Sequence, residues 1–222
     1  MITSENKVYY NSGNENVLAL VGYEGLEVLD VGCGAGSLAK RLQATGKIVD
    51  GISISPGELA QAGPFLRNGF LYNLENGLPP ELPTESYDYI ICSHILEHIA
   101  YPDKLLQDMQ RVLKKDGCVI VALPNVFHYK SRIQLLKGNF PKSDTGIWDA
   151  THLRWYTFKT ASEKLSEYFN IETATVSGEL PLNSMAKKIF PAKMSQFLFK
   201  LLTGVSKGLF GYQLLYRLTK KK

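Results

Sequence analysis

The stretch VLDVGCGAGS, residues 28–37, is an apolar run closed by an acid and followed by three glycines at every second position. As a pattern it is a short buried strand leaving its sheet through a turn that glycine makes without strain. The chain then enters SLAKRLQAT (37–45), where Leu38, Ala39 and Leu42 share a helical face. A strand, a glycine turn and a helix in that order predict an α/β chain, and the segments that follow repeat the unit.

KIVDGISI (47–54) is the second strand, and Pro56 suits the first turn of a short helix behind it. GFLYNL (69–74) is the third strand and YDYIICS (87–93) the fourth. PDKLLQDMQRVLKKDG (102–117) predicts a helix with Leu105, Leu106, Met109, Val112 and Leu113 on one face. Asp103 falls in its first turn, Lys114 and Lys115 in its last, and Gly117 beyond its end. CVIVALP (118–124) is the fifth strand. A helix over 158–168, a strand over 170–178, a helical stretch over 183–209 and a strand over 211–220 complete the expectation. Alternation of this kind implies right-handed crossovers and a mostly parallel sheet covered on both faces, an open three-layer sandwich.

At 222 residues and 45% hydrophobic, the chain suits one globular domain. Cys33, Cys92 and Cys118 sit singly in apolar runs, which reads as reduced thiols in a cytoplasmic core. The opening MITSENKVYY lacks the basic-then-apolar order of a signal peptide, and no run approaches a membrane span of about 20 residues. The net charge of +4 hides an asymmetry: from Leu180 onward there are nine Lys/Arg and no Asp/Glu. Of 25 basic residues 16 therefore remain elsewhere, against 21 acidic. Uniform positive charge and nucleic-acid motifs are both missing, so no nucleic-acid partner is expected.

The glycine spacing is G-x-G-x-G, not the G-x-G-x-x-G of dinucleotide folds. Asp30, two residues before the first glycine, would repel a pyrophosphate and suits a ligand with an amino group. This disfavours a nicotinamide-dependent oxidoreductase. The passage strongly resembles the first motif of the class I S-adenosylmethionine-dependent methyltransferases, roughly VLDxGCGxG. YDYIICSHILEHI (87–99) followed by Pro102, and RVLKKDGCVIVALPN (111–125), resemble that family's fourth-strand and fifth-strand motifs. The resemblance implies a Rossmann-like seven-stranded sheet with an antiparallel last strand, and S-adenosylmethionine as cofactor with S-adenosylhomocysteine as product. It also implies one methyltransferase domain over 1–222: a cofactor half (1–125), an acceptor-covering insertion (126–160), and C-terminal helices and edge strands (161–222).

By the same resemblance Asp30 positions the methionine amino group, and Gly32, Cys33, Gly34 and Gly36 lie against methionine and ribose. Ser93 and His94 line the methionine end, and Asn73 and Leu74 the adenine edge. Ser53 stands where the family commonly has an acid for the ribose hydroxyls, which predicts weaker cofactor binding. Asp50 does not replace it, because strand alternation turns it to the other face.

PNVFHYKSRIQLLKGNFP (124–141) and GIWDATHLRWYTF (146–158) resemble a block of surface-polysaccharide and glycan-pathway methyltransferases, and of MetW-like proteins of methionine biosynthesis. The resemblance implies a small-molecule or lipid-linked glycan acceptor, methylated at oxygen. His152 is the first choice of general base, with Asp149 or Asp144 orienting its ring, and His128 is the second. Arg132 and Arg154 suit an acidic acceptor. His94 and His98 lie four apart without an HExxH pattern, so no metal site is expected. The alternative function is a cofactor-binding regulatory partner without catalysis. In MSQFLFKLLTGVSKGLF (194–210), Met194, Phe197, Leu198, Leu201, Leu202, Val205 and Leu209 form an apolar stripe beside Lys200 and Lys207. Packing on the sheet is the favoured expectation for this stripe. The other is peripheral contact with the inner face of the membrane.

Overall fold

The structure, a computed structural model, describes residues 14–179 and 191–221. Strands β1 (Glu27–Val31), β2 (Ile48–Ser53), β3 (Asn68–Leu71), β4 (Tyr87–Ser93) and β5 (Leu113–Pro124) are parallel. β6 (Phe169–Ser177) and β7 (Gln213–Lys220) finish one sheet of order β3-β2-β1-β4-β5-β7-β6, with β7 antiparallel to both neighbours. This is the Rossmann-like arrangement with an antiparallel last strand. The chain leaves β1 toward β2 on one side, while β4 lies on the other, so the end of β1 is a topological switch point.

Successive residues of β1 serve opposite faces. Leu29 and Val31 pack with Leu105, Leu106 and Met109 of helix α4 (Asp103–Val112). Val28 packs with Leu38 and Leu42 of α2 (Ser37–Gln43), where Val17 of α1 (Glu15–Leu18) also sits. The core helices thus bury single apolar stripes on a sheet whose central strands are buried on both sides.

Several boundaries differ from expectation. α4 ends at Val112 because Leu113 turns extended and pairs with Tyr87, so 113–117 belong to β5. Lys114 then bridges to Asp88 at 2.9 Å instead of closing a helix. β3 stops at Leu71, and Asn73 caps a short 3₁₀ turn (Leu74–Asn76) by accepting from the Glu75 amide at 3.0 Å. Of the helical stretch expected over 183–209, 183–190 lie outside the described residues. The rest divides into α7 (Ala192–Val205) and α8 (Lys207–Phe210) at Ser206, whose hydroxyl caps α8. α3 (Pro56–Ala62), α5 (Tyr129–Leu136) and α6 (Phe158–Tyr168) complete the helices used below. The favoured packing of the 194–210 stripe holds for only part of it: Leu198, Leu202 and Leu209 are half-buried with Phe199, while Met194, Phe197, Leu201 and Val205 are exposed. Among the described residues no helix is long and apolar enough to cross a membrane.

Candidate functional site

At the end of β1 the three glycines adopt the left-handed conformation that side chains disfavour, with φ of 79° at Gly32, 52° at Gly34 and 80° at Gly36. A Cβ on Gly32 would lie 2.0 Å from Ile95 Cδ1, and one on Gly36 2.7 Å from Ala62 Cα. The turn is tied to the sheet by the Gly32 and Cys33 amides, both donating to the Ile52 carbonyl at 2.9 Å. Cys33 is buried, and burial first, then the charges of Asp30 and Glu58, push its thiol well up, so it packs as an uncharged group.

Asp30 is 2% exposed, and its Oδ2 has no hydrogen-bond partner. Burial raises its carboxyl to about 7. An orphaned carboxylate at a switch point is costly unless something cationic or hydrogen-bonding meets it. The fold leaves that cost in place beside the glycine turn.

The end of β2 holds an acid that sequence reasoning missed. Ser53 Oγ donates to Glu58 Oε2 at 2.5 Å and accepts from the Ser55 amide at 3.0 Å. Glu58 is 5% exposed although it belongs to the first turn of α3. The signal was there: Ser55 and Glu58 are spaced as a capping box, and Ser55 Oγ does accept from the Glu58 amide. The carboxylate, however, reaches the strand end instead of closing the box. Asp50 is elsewhere, as strand alternation predicts: it takes Arg67 Nε and Nη2 at 3.0 and 2.6 Å and the Tyr87 hydroxyl at 2.8 Å. At the third-strand end, Asn73 is exposed with its carbonyl committed to its cap, while Leu74 faces the core.

At the end of β4, Ser93 is half-buried, and His94 just after it has φ of 58°, a strained conformation for a non-glycine residue. His94 Nδ1 lies 3.1 Å from Glu97 Oε1 and its Nε2 2.6 Å from Gln213 Nε2. Gln213 can only donate there, so Nδ1 of His94 carries the proton and donates it to Glu97. Glu97 is fully buried, and its second oxygen, Oε2, has no partner. Glu97 and Asp30 both act on the buried Cys92 thiol, pushing it up after burial itself.

The insertion folds back onto this loop: the Leu153 and Arg154 amides donate to the Glu97 carbonyl at 2.8 and 2.9 Å. His152 thereby meets His98, with ring centroids 4.8 Å apart. The group that orients His152 is the Ile147 carbonyl, 3.0 Å from Nδ1, where Asp149 or Asp144 was expected. Asp149 instead accepts from the Thr151 hydroxyl at 2.6 Å, and that hydroxyl lies 3.1 Å from His98 Nδ1. Burial lowers the His152 imidazole from its ordinary range. Trp155 stands 5.6 Å from the His152 ring, and Phe140 and Trp148 complete an aromatic cluster around it.

His128 is not drawn into this group. It caps α5, lies against Tyr129 and Tyr212, is 3% exposed, and burial lowers it to about 4. A ring that stays neutral to such low pH is a poor proton acceptor at neutral pH. It does line a cleft of about 250 Å³ with Gln134, Ser143, Trp148 and Tyr212. Arg132 and Arg154 are both engaged by backbone, through Nε to the Phe127 and Ala100 carbonyls at 2.8 and 2.7 Å.

Known proteins carry the same plan. A ubiquinone biosynthesis O-methyltransferase of Glaesserella parasuis is 31% identical over 112 residues, covering 47% of this chain and 48% of that protein. The chain thus spans about half the length of the curated relatives it matches. A crystal structure of an S-adenosylmethionine-dependent methyltransferase from Aquifex aeolicus superposes with a TM-score of 0.59 at 17% identity, over 93% of this chain and 89% of that one. One of a Pyrococcus horikoshii protein superposes at 0.60 and 20% identity, over 93% and 87%. At such identities these two likenesses carry the fold. The family model for a methyltransferase domain matches residues 11–165, from before β1 to within α6. With the glycine turn, the orphaned Asp30 and the sheet order inside or beside that span, the chain belongs to the methyltransferase-domain family.

Proposed function

We propose that the protein is an S-adenosylmethionine-dependent methyltransferase acting on a hydroxyl oxygen of a small, ring-bearing acceptor. The observation that carries this reading is Asp30: a buried carboxylate without a partner, at the switch point, behind three left-handed glycines. A ligand with an ammonium and no phosphate relieves it. Gly32, Cys33, Gly34 and Gly36 would hold the methionine and ribose portions against bare backbone. Ser53 with Glu58 would meet the ribose hydroxyls, Asn73 through its amide nitrogen the adenine edge, with Leu74 behind it in the core, and Ser93 and His94 the methionine end. When bound, the cofactor supplies an electrophilic methyl on a sulfonium.

What the chain itself must do is align an oxygen with that methyl, keep water out and take up a proton. His152 is the group assigned to the acceptor's proton, with its Nε2 lone pair presented by the Ile147 contact. Asp149 steadies the neighbouring His98 through Thr151. The aromatic cluster of Phe140, Trp148 and Trp155 favours a flat or ring-shaped acceptor. Both a sugar of a surface-glycan pathway and a phenolic ring, as the names of the ubiquinone-pathway relatives suggest, fit that description. The exposed apolar side of α7, flanked by Lys193 and Lys200, favours an acceptor held at a membrane surface, such as a lipid-linked glycan.

Calorimetric titration with S-adenosylmethionine and S-adenosylhomocysteine, beside Asp30→Ala, tests the reading. Micromolar binding lost in the variant supports it, and no binding up to millimolar ligand sinks it. Binding without methyl transfer to any of a panel of free and lipid-linked sugars and phenols would favour the regulatory-partner function instead.

A further inference from the structure

Three hydrogen-bond acceptors converge beside the strained loop after β4 with no donor among them. Glu97, His98 and His152 each offer one ligand atom, all within 4.8 Å of one another. The hydrogen bonds around them show which nitrogen of each ring is left to ligate. His152 Nδ1 faces the Ile147 carbonyl, which can only accept, so Nδ1 carries the proton and Nε2 a lone pair. The Thr151 hydroxyl donates to Asp149, so His98 Nδ1, facing that oxygen and the Thr151 carbonyl, is also protonated, and its Nε2 is bare. Glu97 Oε1 receives His94, while Oε2 is buried with no partner. With Nδ1 donating in each ring, two imidazole Nε2 atoms and one carboxylate oxygen are left without a hydrogen-bond partner among the described residues.

We propose that these three side chains hold a divalent transition-metal ion, with the carbonyl of Ile147, the Asp149–Thr151 pair and His94 as the outer groups that orient them. Each ligating ring gives its other N–H to a carbonyl or a carboxylate-backed hydroxyl, as metal-binding histidines do. The ligand set of two imidazoles and one carboxylate suits zinc and its neighbours, and leaves positions open for water or substrate; magnesium prefers oxygen-rich sites. Ligands on a tetrahedral ion at about 2.1 Å lie about 3.4 Å apart, so the half-buried rings must close by about 1.4 Å at the widest pair to hold it. The HExxH test on the sequence misses this site, because His94 turns away to Gln213 and the third ligand arrives from the insertion. Metal binding stands on these side chains alone. Its consequence rests on the methyl-transfer reading: with the ion bound, His152 Nε2 is a ligand and no longer the proton acceptor, and an acceptor hydroxyl on the ion gives its proton to water instead.

Metal-stripped protein is titrated calorimetrically with Zn²⁺ and with Mg²⁺, and the titration is repeated with His152→Ala, His98→Gln and Glu97→Gln. The expected result is one Zn²⁺ per chain at micromolar or tighter affinity, Mg²⁺ weaker by at least about 100-fold, and Zn²⁺ affinity lowered at least about 30-fold in each variant. Melting curves without metal confirm that each variant is folded, and His98→Gln is the variant least disturbing to the core. No stoichiometric Zn²⁺ binding by folded wild-type protein overturns the proposal. So does binding unchanged in the folded variants, since the ion then lies elsewhere. S-adenosylhomocysteine titrated into the same samples keeps the two readings apart: its failure to bind sinks methyl transfer while Zn²⁺ binding still decides the metal site.

Discussion

Asp30 sets the sharpest terms on which the site can be tested. Its folded carboxyl, at about 7, is raised from an ordinary value of 3.8. A raised acid is protonated in the folded state while the unfolded chain has already ionised, so stability is lost as pH climbs from about 4 to 7 and stays lost above. Asp30→Asn removes that cost, of order 2–4 kcal/mol at pH 8, and should raise Tm there by roughly 5–15 °C. The gain should vanish below about pH 4, and thermal melts across that range check it. Wild-type affinity for the cofactor should in turn fall about tenfold for each pH step below 7, as the carboxylate protonates. Glu58 gives a second test. Its charge backs Ser53 at the strand end, offsetting the weakness expected of a serine there. Glu58→Gln should lower cofactor affinity about 5- to 10-fold, the worth of one charge-assisted hydrogen bond, with Tm little changed. Equal affinity in calorimetry would remove Glu58 from the ribose site. Asp30 was legible in the sequence because motif and chemistry agree at one position. Glu58 was legible only as a capping-box acid, since its spacing to Ser55 did not show its carboxylate reaching Ser53, and Glu97 was not, because His152 comes to it from the insertion.

At the scale of elements, the glycine turn is also a packing device. Gly36 caps the start of α2 with φ of 80°, and a Cβ there would meet Ala62 of α3 at 2.7 and 2.8 Å. Those contacts are backbone and a methyl group, which cannot swing aside. Gly36→Ala should therefore cost about 2–4 kcal/mol, from the left-handed conformation and the overlap together. A Tm drop of more than about 5 °C measures it, and a drop under 2 °C would mean that α3 yields freely. Strands were the most legible elements: β4 has the bounds its apolar run predicts, as does helix α6. Boundaries set by pairing were not. Nothing local in LKKDG says that Leu113 will leave a helix to pair with Tyr87. The stripe of 194–210 was visible as a period, but a period does not say which stripe a helix turns inward, and neighbours decided that against Met194, Phe197, Leu201 and Val205.

Across the whole molecule, the sheet order brings the chemistry to one edge. The ends of β1, β2 and β4 supply Asp30, Ser53 and Ser93, and the chain after β5 folds back to set His152 against the loop after β4. That return was foreseeable only as a long, aromatic-rich insertion, since its register against Glu97 depends on backbone bonds from Leu153 and Arg154. The second asymmetry is charge: an acidic body of 16 basic and 21 acidic residues precedes a stretch with nine basic residues and none acidic. α7 lies in that basic stretch and exposes Phe197 and Leu201 to 57% and 53%. Apolar side chains beside lysines suit an anionic lipid surface, where each lysine adds about 1 kcal/mol at physiological salt. Wild-type protein should cosediment with vesicles containing phosphatidylserine and should be released by about 0.5 M salt, which shortens the reach of its lysines to a few ångströms. Phe197→Glu with Leu201→Glu should lower partitioning more than tenfold with Tm unchanged, because neither side chain is buried. Equal partitioning of the double variant would assign the lipid contact to another surface. Failure of the wild type to cosediment even at low salt would leave α7 to a different occupant and favour free acceptors over lipid-linked ones.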